Sequence, residues 1–295
     1  MTMAARKIFI TGGTGQVGHE LQRELGVLGE ITAPCRDELD LTDASAVSHW
    51  LEMHRPSIII NAAAYTAVDK AESEPALAKR LNAELPQQLA SYCADQNACL
   101  VHYSSDYVYP GNGDIPWKET SPTQPLSVYG QTKLAGDQAI EAADIHYLIF
   151  RTSWVYSARG NNFMKTMLRL GKEKDALNIV SDQIGAPTPA RLIAQVTLLG
   201  LSHAISSGVY HLAPQGTTSW HQFAKCIFEK AEALGERLKI EIDDVSGITT
   251  SEYPTPAQRP LNSRLDLSKL ENALAIKMPD WESQLGLTLK EHLEA

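Results

Sequence analysis

Short apolar segments alternate with amphipathic ones along the first half of the chain. Apolar runs predict β-strands at 7–11, 31–34, 57–61, 98–103 and 146–150. Helical periodicity predicts helices at 16–25, 44–54, 76–96 and 127–143, with Thr42 or Asp43 capping the second. Nearly continuous apolar strands are typical of a parallel sheet with helices on both faces. The pattern therefore predicts an α/β fold with a doubly wound parallel sheet.

The alternation loosens after about residue 150, where Pro and Gly become frequent. Helical periodicity returns at 191–205, 219–234 and 281–293. We therefore predict a first domain over 1–150 and a smaller C-terminal α/β lobe formed mainly by 151–295, with some later segments returning to the first domain. The lobe is expected at the carboxyl edge of the sheet, where open α/β sheets bind ligands.

Composition narrows the classes of function. The 295 residues are 43% hydrophobic and 21% charged, which is typical of a compact globular protein. With 35 acidic and 26 basic residues the net charge is −9, which argues against a nucleic-acid partner. The four cysteines form no CxxC pair, so reduced thiols and a cytoplasmic location are expected. No apolar run reaches the roughly 20 residues of a membrane span, and none resembles an export signal.

A glycine-rich turn follows the first predicted strand. Gly12, Gly15 and Gly18 lie between that strand and the first helix. Without a Cβ at Gly12 and Gly15, backbone N–H groups can approach a pyrophosphate, and Gly18 lets the helix lie close to the strand. The alternative is a tight structural turn. The context favours a Rossmann-type sheet whose first domain binds NAD(P), and 151–295 would then mainly bind the substrate.

The end of the second strand bears on the choice of cofactor. Arg36 stands where an acidic residue would hold the adenosine 2′-hydroxyl and a basic one would accept a 2′-phosphate. Arg36 therefore favours NADPH, although NADH remains possible and a solvated loop arginine is the alternative. Asp40 and Leu41 could reach the adenine, or Asp40 could be only a carboxylate near the next helix.

A Tyr-x-x-x-Lys pair on a predicted helix suggests the chemistry. Tyr129 and Lys133 share one helix face, and an ammonium beside the phenol is expected to lower the pKa of Tyr129. At the end of the fourth strand, Ser105 could hydrogen-bond a substrate carbonyl. The small side chains after Asn61, including Ala63 and Ala64, leave room for a flat cofactor ring or a ribose. We therefore predict Ser105, Tyr129 and Lys133 as catalytic residues.

These residues resemble the extended short-chain dehydrogenase/reductases. Longer stretches, among them NAAAYTAVDKAESEP, HYSSDYVYPGNGDIPWKE, VYGQTKLAGDQA, FRTSWVYSARGNNF, SDQIGAPT and YPTPAQRPLNSRLD, resemble the dTDP-4-dehydrorhamnose reductase family. That resemblance implies NAD(P)H-dependent reduction of the 4-keto group of dTDP-6-deoxy-L-lyxo-hexos-4-ulose to dTDP-L-rhamnose. It implies substrate contacts at Ser105, Asp106 and Trp154, and cofactor contacts at Gly15, Gln16, Val17, Asp40, Leu41, Ala64, Tyr65, Thr66, Tyr129 and Lys133.

Two further residues are candidates for binding the substrate. Trp154 follows the fifth strand, where its indole could stack on or hydrogen-bond a sugar, or could simply pack in the core. Arg259 lies between Pro256 and Pro260 and suits a diphosphate, with a structural ion pair as the alternative. The expected partner is thus a small dTDP-sugar, with neither nucleic acid nor membrane involved.

The resemblance also bears on assembly. Some members of the family bridge two subunits through a metal held by glutamates. Glu20 is present here, but Arg191 occupies the second glutamate position, and a guanidinium beside a cation is unfavourable. We predict no metal, and either a monomer or a homodimer. Two other functions remain open, namely another extended reductase or epimerase of nucleotide sugars, and a non-catalytic NADP-binding regulatory subunit.

Overall fold

The computed structural model describes residues 6–294. Its strands are β1 (Arg6–Thr11), β2 (Gly29–Thr32), β3 (Ile58–Asn61), β4 (Cys99–Ser105), β5 (His146–Thr152), β6 (Val155–Tyr156), β7 (Leu177–Val180), β8 (Ile184–Gly185), β9 (Thr188–Pro189), β10 (Gly208–His211), β11 (Thr218–Ser219) and β12 (Val245–Ile248). Its α-helices are α1 (Gln16–Leu25), α2 (Ala44–His54), α3 (Val68–Ala71), α4 (Pro75–Lys79), α5 (Leu85–Gln96), α6 (Val128–Glu141), α7 (Phe163–Glu173), α8 (Ala190–Ser202), α9 (Trp220–Ala233), α10 (Ser268–Leu274) and α11 (Trp281–Leu293).

Six strands form the central sheet in the order β2-β1-β3-β4-β5-β10, and every neighbouring pair is parallel. The chain moves from β1 to one side for β2 and then crosses to the other side for β3. That reversal creates a crevice between the carboxyl ends of β1 and β3. The predicted Rossmann-type α/β fold is confirmed.

Helices cover both faces of this sheet because its strand residues are apolar on both sides. Ile8 and Ile10 contribute to one core, together with residues of α1, α8 and α10. Phe9, between them, contributes to the core on the opposite face, with residues of α2, α5 and α6. Successive side chains of a strand point to opposite faces, so continuous apolar strands need this double cover.

The second half of the chain contributes both to the cores of the sheet and to a core of its own. Residues of α7, α9, α11, β7 and β12 enclose a third hydrophobic cluster, which includes Phe223, Phe228 and Leu285. By contrast, β10 pairs with β5, and α8 packs against α1. The division of the chain near residue 150 stays a prediction, and these two elements are later segments that pack with the first domain. No helix within 6–294 is long and apolar enough to cross a bilayer.

The helix predicted over 76–96 is interrupted by a π-helical turn at Arg80–Glu84, between α4 and α5. Pro86 has no N–H for a bond to the carbonyl four residues earlier, and its ring crowds that carbonyl. The Leu85 N–H instead reaches back to the carbonyl of Arg80, five residues away. The turn carries Asn82, which is fully buried and faces the functional site described next.

Candidate active site

A cleft of about 860 Å³ lies at the carboxyl ends of β1, β3, β4 and β5. It opens at the crevice where the chain reverses, which is where open α/β sheets bind their ligands. Sixteen of the predicted site residues line it: Gly12, Gly15, Gln16, Val17, Arg36, Asp40, Leu41, Ala63, Ala64, Tyr65, Thr66, Ser105, Asp106, Tyr129, Lys133 and Trp154. Gly18 and Arg259 are the two predicted residues outside this lining.

The glycine turn forms one end of the cleft. Gly12 has a φ of +67°, and a Cβ there would lie 2.8 Å from the backbone nitrogen of Ala63. A Cβ on Gly18 would lie 2.1 Å from the carbonyl oxygen of Gly12, so only glycine lets α1 approach the turn this closely. No side chain caps the N-terminus of α1, which leaves its first N–H groups available to an anion.

Arg36 and Asp40 lie together beyond this turn. Asp40 accepts hydrogen bonds from the backbone nitrogen and hydroxyl of Thr42 at 2.9 and 2.8 Å. These bonds hold the pKa of Asp40 below its usual value, and the nearby charges of Arg36 and Arg80 act in the same direction. The cleft therefore offers both a carboxylate and the guanidinium of Arg36 here, so both sequence-based interpretations of the nucleotide end remain predictions.

The loop after β3 forms the floor of the cleft and is clamped by Asn82. The Asn82 side chain accepts from the Tyr65 backbone nitrogen at 2.8 Å and donates to the Tyr65 carbonyl at 3.1 Å. It also donates to the hydroxyl of Thr132 on α6 at 3.2 Å. The π-helical turn thus fixes the backbone that carries Ala63, Ala64 and Tyr65.

Ser105 ends β4, and Tyr129 lies in the first turn of α6. The Ser105 hydroxyl donates to a carboxylate oxygen of Asp106 at 2.9 Å and accepts from the backbone nitrogen of Tyr107 at 3.2 Å. Tyr129 is half-buried among these groups, with the Tyr107 ring packed edge-on at 5.3 Å. The two predicted hydroxyl donors therefore lie in the same part of the cleft.

Burial raises the pKa of Tyr129 to about 12, although its hydrogen bond with Ser105 acts in the opposite direction. The prediction that a neighbouring ammonium lowers this pKa is wrong for this structure, because loss of solvation outweighs other effects. The phenol is consequently protonated at neutral pH, as a proton donor must be.

Lys133 is almost fully buried one helical turn after Tyr129. Its Nζ donates to the carbonyl oxygen of Tyr103 at 2.6 Å and lies 3.2 Å from Nε2 of His102. Burial lowers the pKa of Lys133 to about 8, while the charge of Asp137 works to raise it. The lysine is therefore still largely an ammonium at pH 7.

Asp137 lies one further turn along α6 and is also fully buried. It accepts from the Ser104 hydroxyl at 2.8 Å and from Nε of Arg151 at 3.0 Å. Burial raises the pKa of Asp137, and the charges of Arg151 and Lys133 lower it. Ser104 is thus occupied by a structural bond, which leaves Ser105 as the serine of this strand end whose hydroxyl borders Tyr129.

Asp106 and Thr152 present unsatisfied atoms at the centre of the cleft. Burial raises the pKa of Asp106 to about 6, even though the neighbouring hydroxyls of Ser263 and Ser105 lower it. Oδ2 of Asp106 and Oγ1 of Thr152 are buried without a hydrogen-bond partner. Buried polar atoms are nearly always satisfied, so these two are suited to a ligand that supplies the missing bonds.

Trp154 forms the wall on the side of the C-terminal lobe. Its indole stacks on that of Trp220, with ring centroids 3.7 Å apart and planes inclined by 14°. Its backbone has a φ of +49°, a conformation that non-glycine residues rarely adopt and that is concentrated at functional sites. Trp154 thus lines the cleft with its far side already packed against Trp220.

Arg259 lies outside the cleft lining and pairs with Asp69. Its Nη2 is 2.7 Å from Oδ2 of Asp69, whose other oxygen accepts from the backbone nitrogen of Ala257 at 3.1 Å. The alternative of a structural ion pair therefore describes the protein without a ligand. Because Nη1 of Arg259 is buried without a partner, the guanidinium retains an unused donor, and the diphosphate contact stays a prediction.

Glu20 is buried and lies next to the partly exposed Arg191. Nε of Arg191 is 3.7 Å from the Glu20 carboxylate, and its Nη2 is 3.1 Å from that of Glu291. Arg23 approaches both carboxylates at 3.4 Å. Guanidinium groups thus surround the one glutamate that matches the metal-bridging pattern.

Several site residues were not found from the sequence. Asn82 holds the loop after β3, His102 and Asp137 lie beside the lysine, and Thr152 and Trp220 line the cleft. Asp137 could have been noticed, since it follows Lys133 at helical spacing. The others carry no local signal because their partners come from distant parts of the chain.

A doubly wound sheet with a glycine turn and a Ser, Tyr and Lys set in one cleft defines a nicotinamide-dinucleotide-binding protein of the short-chain dehydrogenase/reductase class. Residues 6–294 match the family described as RmlD substrate binding domain. A dTDP-4-dehydrorhamnose reductase of Shigella flexneri is 46% identical over 292 residues, covering 96% of this chain and 97% of its own. The chain belongs to the dTDP-4-dehydrorhamnose reductase family.

Solved structures agree with this assignment. The reductase of Clostridium acetobutylicum superimposes with a TM-score of 0.91 at 36% identity, covering 98% of this chain and all of its own. The Bacillus anthracis reductase, in complex with NADP, gives a TM-score of 0.90 at 37% identity and the same coverage. A UDP-glucose 4-epimerase of Thermus thermophilus, 17% identical with a TM-score of 0.81, shares the fold.

Proposed function

We propose that this protein catalyses the NAD(P)H-dependent reduction of the 4-keto group of dTDP-6-deoxy-L-lyxo-hexos-4-ulose to dTDP-L-rhamnose. The observation that carries the proposal is the convergence of Ser105, Tyr129 and Lys133 on one cleft that begins at a glycine turn. Membership of the reductase family and the NADP complex of the Bacillus anthracis relative support it.

The chain's own residues fit a dinucleotide cofactor. The backbone of Gly12 and the uncapped N-terminus of α1 would take the pyrophosphate, at a place where any Cβ would collide with Ala63. Arg36 would hold a 2′-phosphate, which favours NADPH over NADH. Ala63, Ala64, Tyr65 and Thr66 would line the path towards the nicotinamide end. When bound, the cofactor supplies the hydride.

Ser105 and Tyr129 would both donate hydrogen bonds to the C4 carbonyl oxygen of the substrate. These bonds polarise the ketone and stabilise the negative charge that develops on oxygen as hydride reaches carbon. Tyr129 then transfers its phenolic proton to that oxygen, which completes the alcohol. A pKa of about 12 in the ligand-free cleft ensures that this proton is present before the reaction begins.

Lys133 would hold the nicotinamide ribose with an N–H that is not used by Tyr103. Its ammonium would also stabilise the phenolate left on Tyr129 after proton transfer. This second role of Lys133 begins only after Tyr129 has given up its proton. It is therefore compatible with a phenol that is fully protonated in the free protein.

Asp106, Trp154 and Arg259 would bind the nucleotide sugar. The unsatisfied Oδ2 of Asp106 can accept a hydrogen bond from a sugar hydroxyl, and Trp154, which lines the cleft, can contact a ring. Arg259 would use its free Nη1 for the diphosphate while Asp69 keeps hold of Nη2. We infer a cytoplasmic monomer or homodimer, and four free thiols support the reducing location.

The test is a direct assay. The protein is incubated with NADPH and the dTDP-4-keto sugar, and oxidation of the cofactor is followed while the products are separated. Rhamnose formed in equal amount to NADP supports the proposal. Oxidation without rhamnose would instead indicate a neighbouring reductase or epimerase, and binding without oxidation a regulatory subunit.

A further inference from the structure

A line of buried polar groups runs beneath the active-site cleft from β1 to α6. Thr11 Oγ1 lies 2.7 Å from one end of the Asn61 side-chain amide, and the other end lies 3.0 Å from Nδ1 of His102. Nε2 of His102 lies 3.2 Å from Nζ of Lys133. All four side chains are at most 1% exposed. None of the first three was assigned a role above.

Burying a polar side chain costs free energy unless the side chain makes hydrogen bonds, and each of these four side chains contacts the next one in the line. An aliphatic residue at position 102 would suit the surrounding core, yet the strand carries an imidazole that contacts Lys133. The histidine therefore has a role that packing alone does not explain.

We propose that His102 is a positioning residue for Lys133, and that Asn61 determines which ring nitrogen faces the lysine. The inference concerns the same site as the proposed function, but its principal test measures the lysine itself and needs neither cofactor nor substrate.

The assignment follows from what each group can donate. Burial and the nearby charge of Lys133 hold the pKa of His102 well below its usual value, so the ring is neutral and has one donor and one acceptor nitrogen. An ammonium can only donate, so Nε2 accepts from Lys133 and Nδ1 carries the hydrogen. Nδ1 then donates to Asn61, which requires the amide oxygen to face the ring.

The amide can meet this requirement without any movement of the chain. In the structure the amide nitrogen faces His102 and the amide oxygen accepts from the Thr11 hydroxyl. The two ends exchange places by a 180° rotation, and they are told apart only by their partners. With its oxygen towards His102, its nitrogen donates to Thr11 Oγ1, which also accepts from the backbone nitrogen of Ala63 at 3.1 Å. This series of hydrogen bonds thus links Lys133 to the loop after β3, which forms the floor of the cleft.

The other charged and titratable groups around Lys133 come from three elements. Asp137 and Tyr129 lie on α6, and Oδ1 of Asp137 is 3.9 Å from Nε2 of His102 on β4. Arg151 lies on β5 and pairs with Asp137. Asp137 favours the ammonium through its charge, and the neutral His102 favours it by accepting a hydrogen bond. Removing the imidazole should therefore lower the pKa of Lys133 without any change in the surrounding charges.

The experiment titrates Lys133 in the cofactor-free protein by following the ¹³C resonance of its labelled Cε, identified by its loss in Lys133→Met. In wild type the midpoint is expected near 8. A hydrogen bond to a charged group contributes the equivalent of about 1–2 pKa units, so His102→Leu should lower the midpoint by about one unit or more. His102→Gln keeps an acceptor and should restore at least half of that shift.

Val101→Ala is the matched control. Val101 is the preceding residue of the same strand, and its side chain is buried in the core on the opposite face of the sheet. This variant loosens β4 without touching Lys133, so its midpoint should equal that of wild type. Thermal unfolding of all variants establishes that each is folded at the temperature of the titration.

A second readout connects the titration to activity. The alkaline limb of kcat/KM for the cofactor, which reports groups of the free enzyme, should move with the Lys133 midpoint in each variant. An unchanged midpoint in His102→Leu would overturn the inference, and so would an equal shift in Val101→Ala. If the titration shifts and no reductase activity is found, the positioning role stands and the proposed function fails.

Discussion

Replacing Gly18 by alanine tests whether the close approach of α1 to the glycine turn builds the cofactor site. The added Cβ would lie 2.1 Å from the carbonyl oxygen of Gly12, about 1.3 Å short of an ordinary 3.4 Å contact. The carbonyl belongs to the backbone and the Cβ is fixed directly to it, so neither can rotate away from the other. The helix must withdraw from the turn, and the N–H groups proposed to bind the pyrophosphate move with it.

The magnitude follows from two opposing effects. Overpacking costs about 1–3 kcal/mol, and a clash between backbone groups belongs at the upper end of that range. Alanine recovers about 1 kcal/mol over glycine within a helix. The net loss in free energy of unfolding is therefore about 1–2 kcal/mol. Loss of two hydrogen bonds to phosphate, at about 1.5 kcal/mol or more each, should weaken NADPH binding about a hundredfold.

Gly286→Ala provides the control. Gly286 lies within α11, and a Cβ added there meets no atom within 4 Å. It should gain about 1 kcal/mol from helix propensity and leave NADPH affinity unchanged. The two variants should thus differ by about 2–3 kcal/mol, or roughly 5 °C in Tm for a chain of this size. Equal stability and equal NADPH affinity of the two proteins would refute the reasoning.

Four other predictions address separate parts of the site. Tyr129→Phe should reduce turnover by about 10²–10⁴ at unchanged NADPH affinity, because the proton donor is lost, and near-native turnover would contradict the assignment. Arg36→Asp should shift the preference from NADPH to NADH by at least about tenfold in separate kcat/KM titrations, since a carboxylate repels the 2′-phosphate; an unchanged ratio would remove Arg36 from the site. Asp106→Asn should stabilise the ligand-free protein at pH 7 by up to about 3 kcal/mol. The folded-state pKa of about 6 exceeds the ordinary 3.8, so the cost of Asp106 is present above pH 6 and absent below about pH 4, and thermal unfolding at both pH values should show the gain only at the higher one. Sedimentation should be the same with and without chelator, because Arg191 occupies the surroundings of Glu20, and a Mg²⁺-dependent dimer would show this to be wrong.

Local sequence signals were sufficient for most of the first domain. α1, α2 and α11 begin and end at the predicted residues because amphipathic periodicity and caps such as Asp43 mark them. The second strand begins and ends two residues earlier than the apolar run at 31–34 predicts. It runs over Gly29–Thr32, where it pairs with β1, and it ends before Pro34, which has no N–H for the ladder.

Features that depend on contacts between distant segments were not predictable in this way. The strand β10 is four residues long, and it is part of the sheet only because β5 offers it an open edge. Similarly, Tyr129 and Lys133 follow from helical spacing, but the shift in their pKa values follows from burial, which the spacing does not reveal. The position of His102 against Lys133 needs β4 and α6 to be packed already.

Because α8 and β10 pack on the central sheet although they follow residue 150, related proteins could not easily exchange their C-terminal halves. A hybrid with its junction near residue 150 would replace the outermost strand and the covering helices α8 and α10 together with the lobe proposed to contact the sugar. The incoming strand and helix would have to match a foreign β5 and a foreign α1 before any new specificity could be expressed. Substrate preference in this architecture is therefore expected to diverge by point changes and loop exchange rather than by shuffling of whole halves.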